Sequence, residues 1–212
     1  MKTNQILSIF PLTLCFALSI AGISWSQEDI LFRAVRVKGN IMAYHDENDE
    51  TARLYTNQTI DDGDRVTAAA DSEVVLRLDQ KVYLYLAPHT RIHIIRLRQG
   101  DKGVECKINL VTGRMLCQLE QNLDPPFTVS AGGVYCHEHG SLFEVIRKQD
   151  DLTVVSFQGA VVADFHGTTK MAKTEEVLTL SHGKFRNKTH HLSTEEKAHL
   201  KAWEDLISEI VP

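Results

Sequence analysis

The sequence predicts an all-β domain, a sandwich or roll of many short strands, closed by one C-terminal amphipathic helix. Three observations carry this reading. Short apolar runs alternate with polar residues from about Leu31 to Leu180, turn residues separate them at regular intervals, and a helical period occurs only after Ser193.

The strands read in order. Val74-Val75-Leu76-Arg77-Leu78 and Lys81-Val82-Tyr83-Leu84-Tyr85-Leu86 are followed by Arg91-Ile92-His93-Ile94-Ile95. Phe143-Glu144-Val145-Ile146 and Leu152-Thr153-Val154-Val155 continue the pattern. Turns fall at Asp61-Asp62-Gly63-Asp64, Asp79-Gln80, Ala87-Pro88, Gln99-Gly100-Asp101, Asp124-Pro125-Pro126 and Gln149-Asp150-Asp151. Runs this short favour a sandwich, a roll or a short solenoid of strands. Near the C-terminus, Ser193-Thr194-Glu195-Glu196 has the form of a capping box. Leu200, Trp203, Leu206, Ile207 and Ile210 then recur on one helical face, which is expected to pack on the sheet. The organisation expected is a leader over 1–26, a β domain over 27–185, a linker over 186–192 and a helix over 193–211.

The N-terminus reads as an export signal. Met1-Lys2 precedes an apolar run from Ile6 to about Ile23, and Ser24 and Ser26 place small residues at the minus-three and minus-one positions. Cleavage is expected after Ser26, leaving no membrane span and a periplasmic or secreted chain. The competing reading keeps 1–26 as an uncleaved anchor of a membrane-attached regulator, since the run approaches the ~20 residues that span a bilayer. Cys15 follows Leu14 inside the run, so lipidation is not expected. The formal net charge is −5, and Lys and Arg form no contiguous block, so no nucleic-acid partner is expected. Asp46-Glu47-Asn48-Asp49-Glu50 reads as a solvated acidic turn, lacking the Gly and alternation of a calcium loop. Export permits disulfides. Cys106 and Cys117 flank Leu110-Val111-Thr112-Gly113 symmetrically, so a hairpin centred there would set them opposite each other for a disulfide, with Cys136 left over.

Taken in order, the turn-and-strand grammar resembles the FecR domain family. Its elements here are Val37-Lys38-Gly39-Asn40-Ile41, then Ile60-Asp61-Asp62-Gly63-Asp64-Arg65-Val66-Thr67 and Ser72-Glu73-Val74-Val75-Leu76-Arg77-Leu78-Asp79. They continue with Val82-Tyr83-Leu84-Tyr85-Leu86-Ala87-Pro88-His89-Thr90, Leu110-Val111-Thr112-Gly113-Arg114 and Phe127-Thr128-Val129. Gly140-Ser141-Leu142-Phe143-Glu144-Val145 and Val154-Val155-Ser156-Phe157-Gln158-Gly159-Ala160-Val161 complete the set, so the resemblance runs from about Val35 to Gly183. It implies an envelope domain. The family's best-known members relay a signal from an outer-membrane transporter to a cytoplasmic sigma factor. No cytoplasmic segment precedes the apolar run here, so the expectation narrows to a non-catalytic binding or scaffold module whose partner is an envelope protein or a surface polymer.

One stretch departs from the family pattern. Cys136-His137-Glu138-His139 puts His137 and His139 on one face of a strand. Two imidazoles on one face can chelate a transition metal if a third ligand arrives. With Gly132 or Gly133 before them and Glu144 after, they approximate the first motif of a cupin barrel, and His137, His139 and Glu144 form the alternative metal set. The second cupin motif is not recognisable, and solvent-facing polar residues are the simpler reading. Nucleophile elbow, P-loop, dinucleotide fingerprint and HExxH are all absent, so neither an enzyme nor a cofactor is expected.

Overall fold

Successive side chains of a strand point to opposite sides, so alternating sequence is built to cover one face of a sheet. The computed structural model describes residues 30–101, 103–119, 123–138, 142–186 and 190–210. In chain order the first strands are β1 (Phe32–Lys38), β2 (Ile41–His45), β3 (Glu50–Arg53), β4 (Thr59–Ile60), β5 (Arg65–Ala68), β6 (Glu73–Leu78), β7 (Val82–Leu86), β8 (Arg91–Gly100) and β9 (Gly103–Leu119). There follow β10 (Thr128–Ala131), β11 (Val134–Glu138), β12 (Leu142–Lys148), β13 (Asp151–Gln158), β14 (Ala160–Phe165), β15 (Thr168–Lys173), β16 (Glu176–Ser181), β17 (Lys184–Phe185), β18 (His190–His191) and the helix α1 (Thr194–Ile210). The architecture is all-β with a single C-terminal helix, as the alternation predicts.

The strands form two layers joined through β9. The first layer runs β4-β1-β6-β7-β9-β12-β13-β16, with β17 and β18 both paired to β16. The second runs β3-β2-β5-β8-β9-β10-β11-β14-β15. Only the pairing of β10 with β9 is parallel. Hairpins alternate between layers. In the first half β6–β7 lie in one layer while β5–β8 pair in the other, and β12–β13 and β11–β14 repeat this beyond β9.

Strand β9 is a continuous strand of 17 residues where the sequence reading placed a hairpin. Its first part pairs β8 up to Arg91↔Thr112, and its last part, from Gly113, pairs β12 and β7. Gly113 makes the bend at φ +99, where a Cβ would lie 2.5 Å from Thr90 Cα. The bend replaces the turn. The grammar around it now has a physical account: the buried Thr90 hydroxyl accepts from Arg114 N and donates to Arg114 O, both at 3.0 Å. This side chain gives Arg114 N its acceptor at the corner and shares Arg114 O with Ala87 N, 3.1 Å away.

The core fills the space between layers with Phe32, Phe127, Phe143, Ile41, Leu76, Leu84 and their neighbours, all essentially inaccessible. A second, smaller cluster lies outside the first layer. There Leu116, Val155, Phe157 and Val177 meet Leu192 and Trp203. Adjacent apolar pairs such as Val154-Val155 and Val177-Leu178 are buried on both sides because α1 covers the outer face. The helix starts on a reciprocal cap: Glu196 N donates to Ser193 Oγ at 3.2 Å, and Ser193 N donates to Glu196 Oε2 at 2.7 Å. Among the described residues no helix is long and apolar enough to cross a membrane.

Candidate functional site

The residues singled out in the sequence do not converge. Cys106 and Cys117 lie eleven positions apart along one strand, a path of roughly 36 Å if extended. A disulfide needs Cα atoms within about 7 Å, so the expected bridge is corrected by the strand that replaces the hairpin. Both side chains point into the core, as does Cys136. Burial raises the Cys106 thiol far above its ordinary value and pushes Cys136 up to about 12, so neither is a reactive thiolate.

The metal set is also not assembled. His137 faces outward from the second layer and shares a 3.2 Å hydrogen bond with the Thr128 hydroxyl. Glu144 points outward from the first layer, on the opposite side of the sandwich, beneath α1. His139 lies outside the described residues. Gly132 and Gly133 are the two-residue turn between β10 and β11, both at positive φ, which is the ordinary use of glycine in a tight hairpin. No group of three His, Cys, Asp or Glu gathers among the described residues. In the acidic turn, Asp46 is tied down by the buried Asp64, whose carboxylate accepts from Asp46 N and Asp61 N and contacts His45 Nδ1 at 2.7 Å. Asp64 organises two loops rather than a ligand.

What the fold does assemble is a charged and aromatic site between α1 and the outer face of the first layer. Leu116, Glu144 and Val155 stand abreast there on β9, β12 and β13. Glu144 is 2% exposed, inside the alternation that sends Phe143 and Val145 to the core. Arg114 Nε approaches Glu144 Oε1 at 3.1 Å without hydrogen-bond geometry, so this buried oxygen accepts no bond. Burial pushes the Glu144 carboxyl up to about 7, against the pull of the Arg114 charge. On its other side Arg114 Nη1 lies 3.1 Å from both ring nitrogens of His199 on α1. Burial and the Arg114 charge both lower the His199 imidazole, consistent with a neutral ring accepting from the guanidinium.

Next to this cluster Trp203 sits edge-on to Tyr85, ring centroids 3.6 Å apart. The Tyr85 hydroxyl donates to Glu73 Oε2 at 2.7 Å, and Lys38 reaches the other oxygen at 3.4 Å. Burial opposes ionisation of Glu73, but these two partners hold its carboxyl below the ordinary value. Along the helix edge opens a groove of about 660 Å³. It is lined by apolar Trp203, Ile146, Leu206 and Pro88, by the cations Arg114 and Lys148 and by the acid Glu73, while the Arg147 guanidinium turns away to Leu110 O at 3.3 Å. The size and composition suit a bound side chain or short segment. Glu144 does not line the groove, so it acts on how the helix sits rather than on a substrate. Sequence reasoning missed Arg114, His199 and Glu73. None belongs to a motif within its own element, and only strand pairing and the helix dock bring them together.

Comparison with known proteins matches part of the β domain. Residues 64–162 match the family model described as FecR protein. No curated protein gives a significant match. Two crystal structures of a candidate anti-sigma factor from Parabacteroides distasonis ATCC 8503, at 2.50 and 1.65 Å resolution, are similar in fold, with TM-scores of 0.54 and 0.52. Identity is 13% in both, and the alignment covers 66% of this chain and 63% of the other. At that identity the likeness is one of fold, and this chain spans less than two thirds of the length of those structures.

Proposed function

We propose that this FecR-like chain is a non-catalytic regulatory binding module of the bacterial cell envelope, which receives a segment of a partner protein in the groove beside its C-terminal helix. The observation that carries this is the groove itself: an apolar lining anchored by Trp203 with the cations Arg114 and Lys148 at its edge. Such a surface recognises an amphipathic segment with acidic residues, since apolar anchors supply affinity and rim charges supply steering and register. The FecR match and the fold shared with a candidate anti-sigma factor support a regulatory rather than an enzymatic role. The N-terminal segment supports export, with cleavage after Ser26 and work in the periplasm or outside the cell.

The reading is tested by crosslinking in cells of the source organism. A photoreactive residue at Ala202 or Pro88, on the groove wall, should give one discrete protein adduct. The same residue at Asp79, an exposed turn between β6 and β7, serves as the control. Adducts that are absent, or the same from both positions, would remove the groove as the partner site. Retention of residues 1–26 in the purified protein would replace the cleaved form by the membrane-anchored one.

A further inference from the structure

The solvent face of the second layer carries a feature that the sequence hides. Strand pairing aligns Tyr44, Arg65, His93 and Asn109 in one row across β2, β5, β8 and β9. The row continues through Ser130 and Tyr135 on β10 and β11. Beside it, Arg96 and Lys107 stand directly opposite each other, and Arg91 is paired with Thr67. Alternation confirms the direction these residues point, since the intervening Val66, Ile92, Ile108 and Val129 are all fully buried.

Four cations on this face, Arg65, Arg91, Arg96 and Lys107, have no carboxylate partner among the described residues. Arg65 lies over the Tyr44 ring at 4.7 Å and Lys107 over the Tyr135 ring at 5.3 Å. Of the acids nearby, Glu105 pairs with Arg98 at 2.9 Å, while Asp49, on the Tyr44 hydroxyl at 2.6 Å, and Asp164, on the Thr169 hydroxyl at 2.9 Å, flank the two ends of the row without pairing with its cations. The chain as a whole is acidic, at −5, so this concentration of unpaired positive charge is local. Facing Arg96 with Lys107 across a strand pair is itself unfavourable. An anion bridging the two removes that repulsion.

We infer that the outer face of the second layer binds an acidic polysaccharide laid across the strands. This goes beyond the groove reading and uses the opposite side of the molecule. Carboxylate groups of the polymer meet the four cations. Its hydroxyls meet Asn109, Ser130 and His93, which lie between them and both donate and accept. Tyr135, 43% exposed, offers a flat ring against which a sugar can rest. A neutral glycan leaves the cations unanswered. A nucleic acid draws its affinity from long runs of phosphate contacts and a broadly basic protein, which this chain is not.

The test is binding of residues 27–212 to alginate, polygalacturonate and heparin, with dextran, poly-glutamate and single-stranded DNA alongside, at low and high salt. The expected result is binding to at least one acidic glycan, and none to dextran. Arg96→Gln, Lys107→Gln and Tyr135→Ala should each weaken that binding at least about fivefold, the effect of one lost contact. Lys201→Gln, on α1, should leave it unchanged, and melting curves verify that each exposed-face variant folds. Failure of all three acidic glycans overturns the inference. So does equal affinity for poly-glutamate or DNA with Tyr135→Ala inert, which would reduce the face to unselective charge attraction.

Discussion

Replacing Glu144 by Gln should change how stability responds to pH. Glu144 is 2% exposed and its folded-state carboxyl is pushed up to about 7 by burial. In the unfolded chain a glutamate titrates near 4.3. Between those values the folded protein holds a proton that the unfolded chain has released, so stability falls as pH rises through the window. It levels off once both states are ionised. The separation between about 4.3 and about 7 corresponds to about 3–4 kcal/mol. Glutamine keeps the shape and cannot ionise, so the variant lacks this loss. Urea denaturation followed by far-UV circular dichroism, run in steps from about pH 5 to about pH 8, gives the free energy of both proteins. Groups common to the two cancel in the difference. The advantage of Glu144→Gln over the parent should therefore grow by about 3 kcal/mol across the series, or roughly 6–12 °C in Tm for a domain of this size. Parallel curves would refute the argument, because they would mean that Glu144 ionises in the folded state as freely as in water. The Arg114 charge, 3.1 Å away, pulls the carboxyl down by less than burial pushes it up.

Two other perturbations test the supports of the site. Trp203→Ala removes the one buried side chain of α1 and about 3 kcal/mol or more of packing, so the helix should undock while the sandwich stays folded. Trypsin should then cut after Lys197 and Lys201 about a hundredfold faster, with the strand circular dichroism unchanged; unchanged cleavage would show the helix to be held elsewhere. Thr90→Val keeps the branched shape but leaves Arg114 N without its acceptor, while Arg114 O keeps Ala87 N, at a cost of about 1–3 kcal/mol by urea titration. A loss below about 0.5 kcal/mol would mean that the corner at Gly113 needs no side-chain pairing.

How much of this was legible depends on whether a feature is local. The strands, their turns and the capped helix are written in short windows, because period-two alternation and the Ser193–Glu196 cap are properties of a few neighbouring residues. The corner at Gly113 reads in sequence as a turn, and Leu110-Val111-Thr112-Gly113 does lie where the chain changes layer. A turn and a bend share the same glycine requirement, and only the pairing of β9 with both layers distinguishes them. The error over Cys106 and Cys117 follows from that ambiguity. Glu144 illustrates the opposite case. Alternation places it correctly away from Phe143 and Val145, but whether that outer position meets water or a helix depends on a segment some fifty residues later. The basic face of the second layer is the extreme. Its cations lie on β5, β8 and β9: Arg91 and Arg96 fall in a stretch that also holds Arg98, but Arg65 and Lys107 stand apart in the chain, so the sequence shows a short basic cluster and not the face. The rule that a nucleic-acid or polyanion surface shows as a run of Lys and Arg holds for helices and tails. On a sheet each strand contributes one or two outward residues to a row, so a charged patch is assembled across the chain and a linear scan understates it. The same rule explains why His137 and Glu144, seven positions apart, end on opposite sides of the molecule. Between them the chain passes from β11 to β12, from one layer to the other, and each points outward from its own.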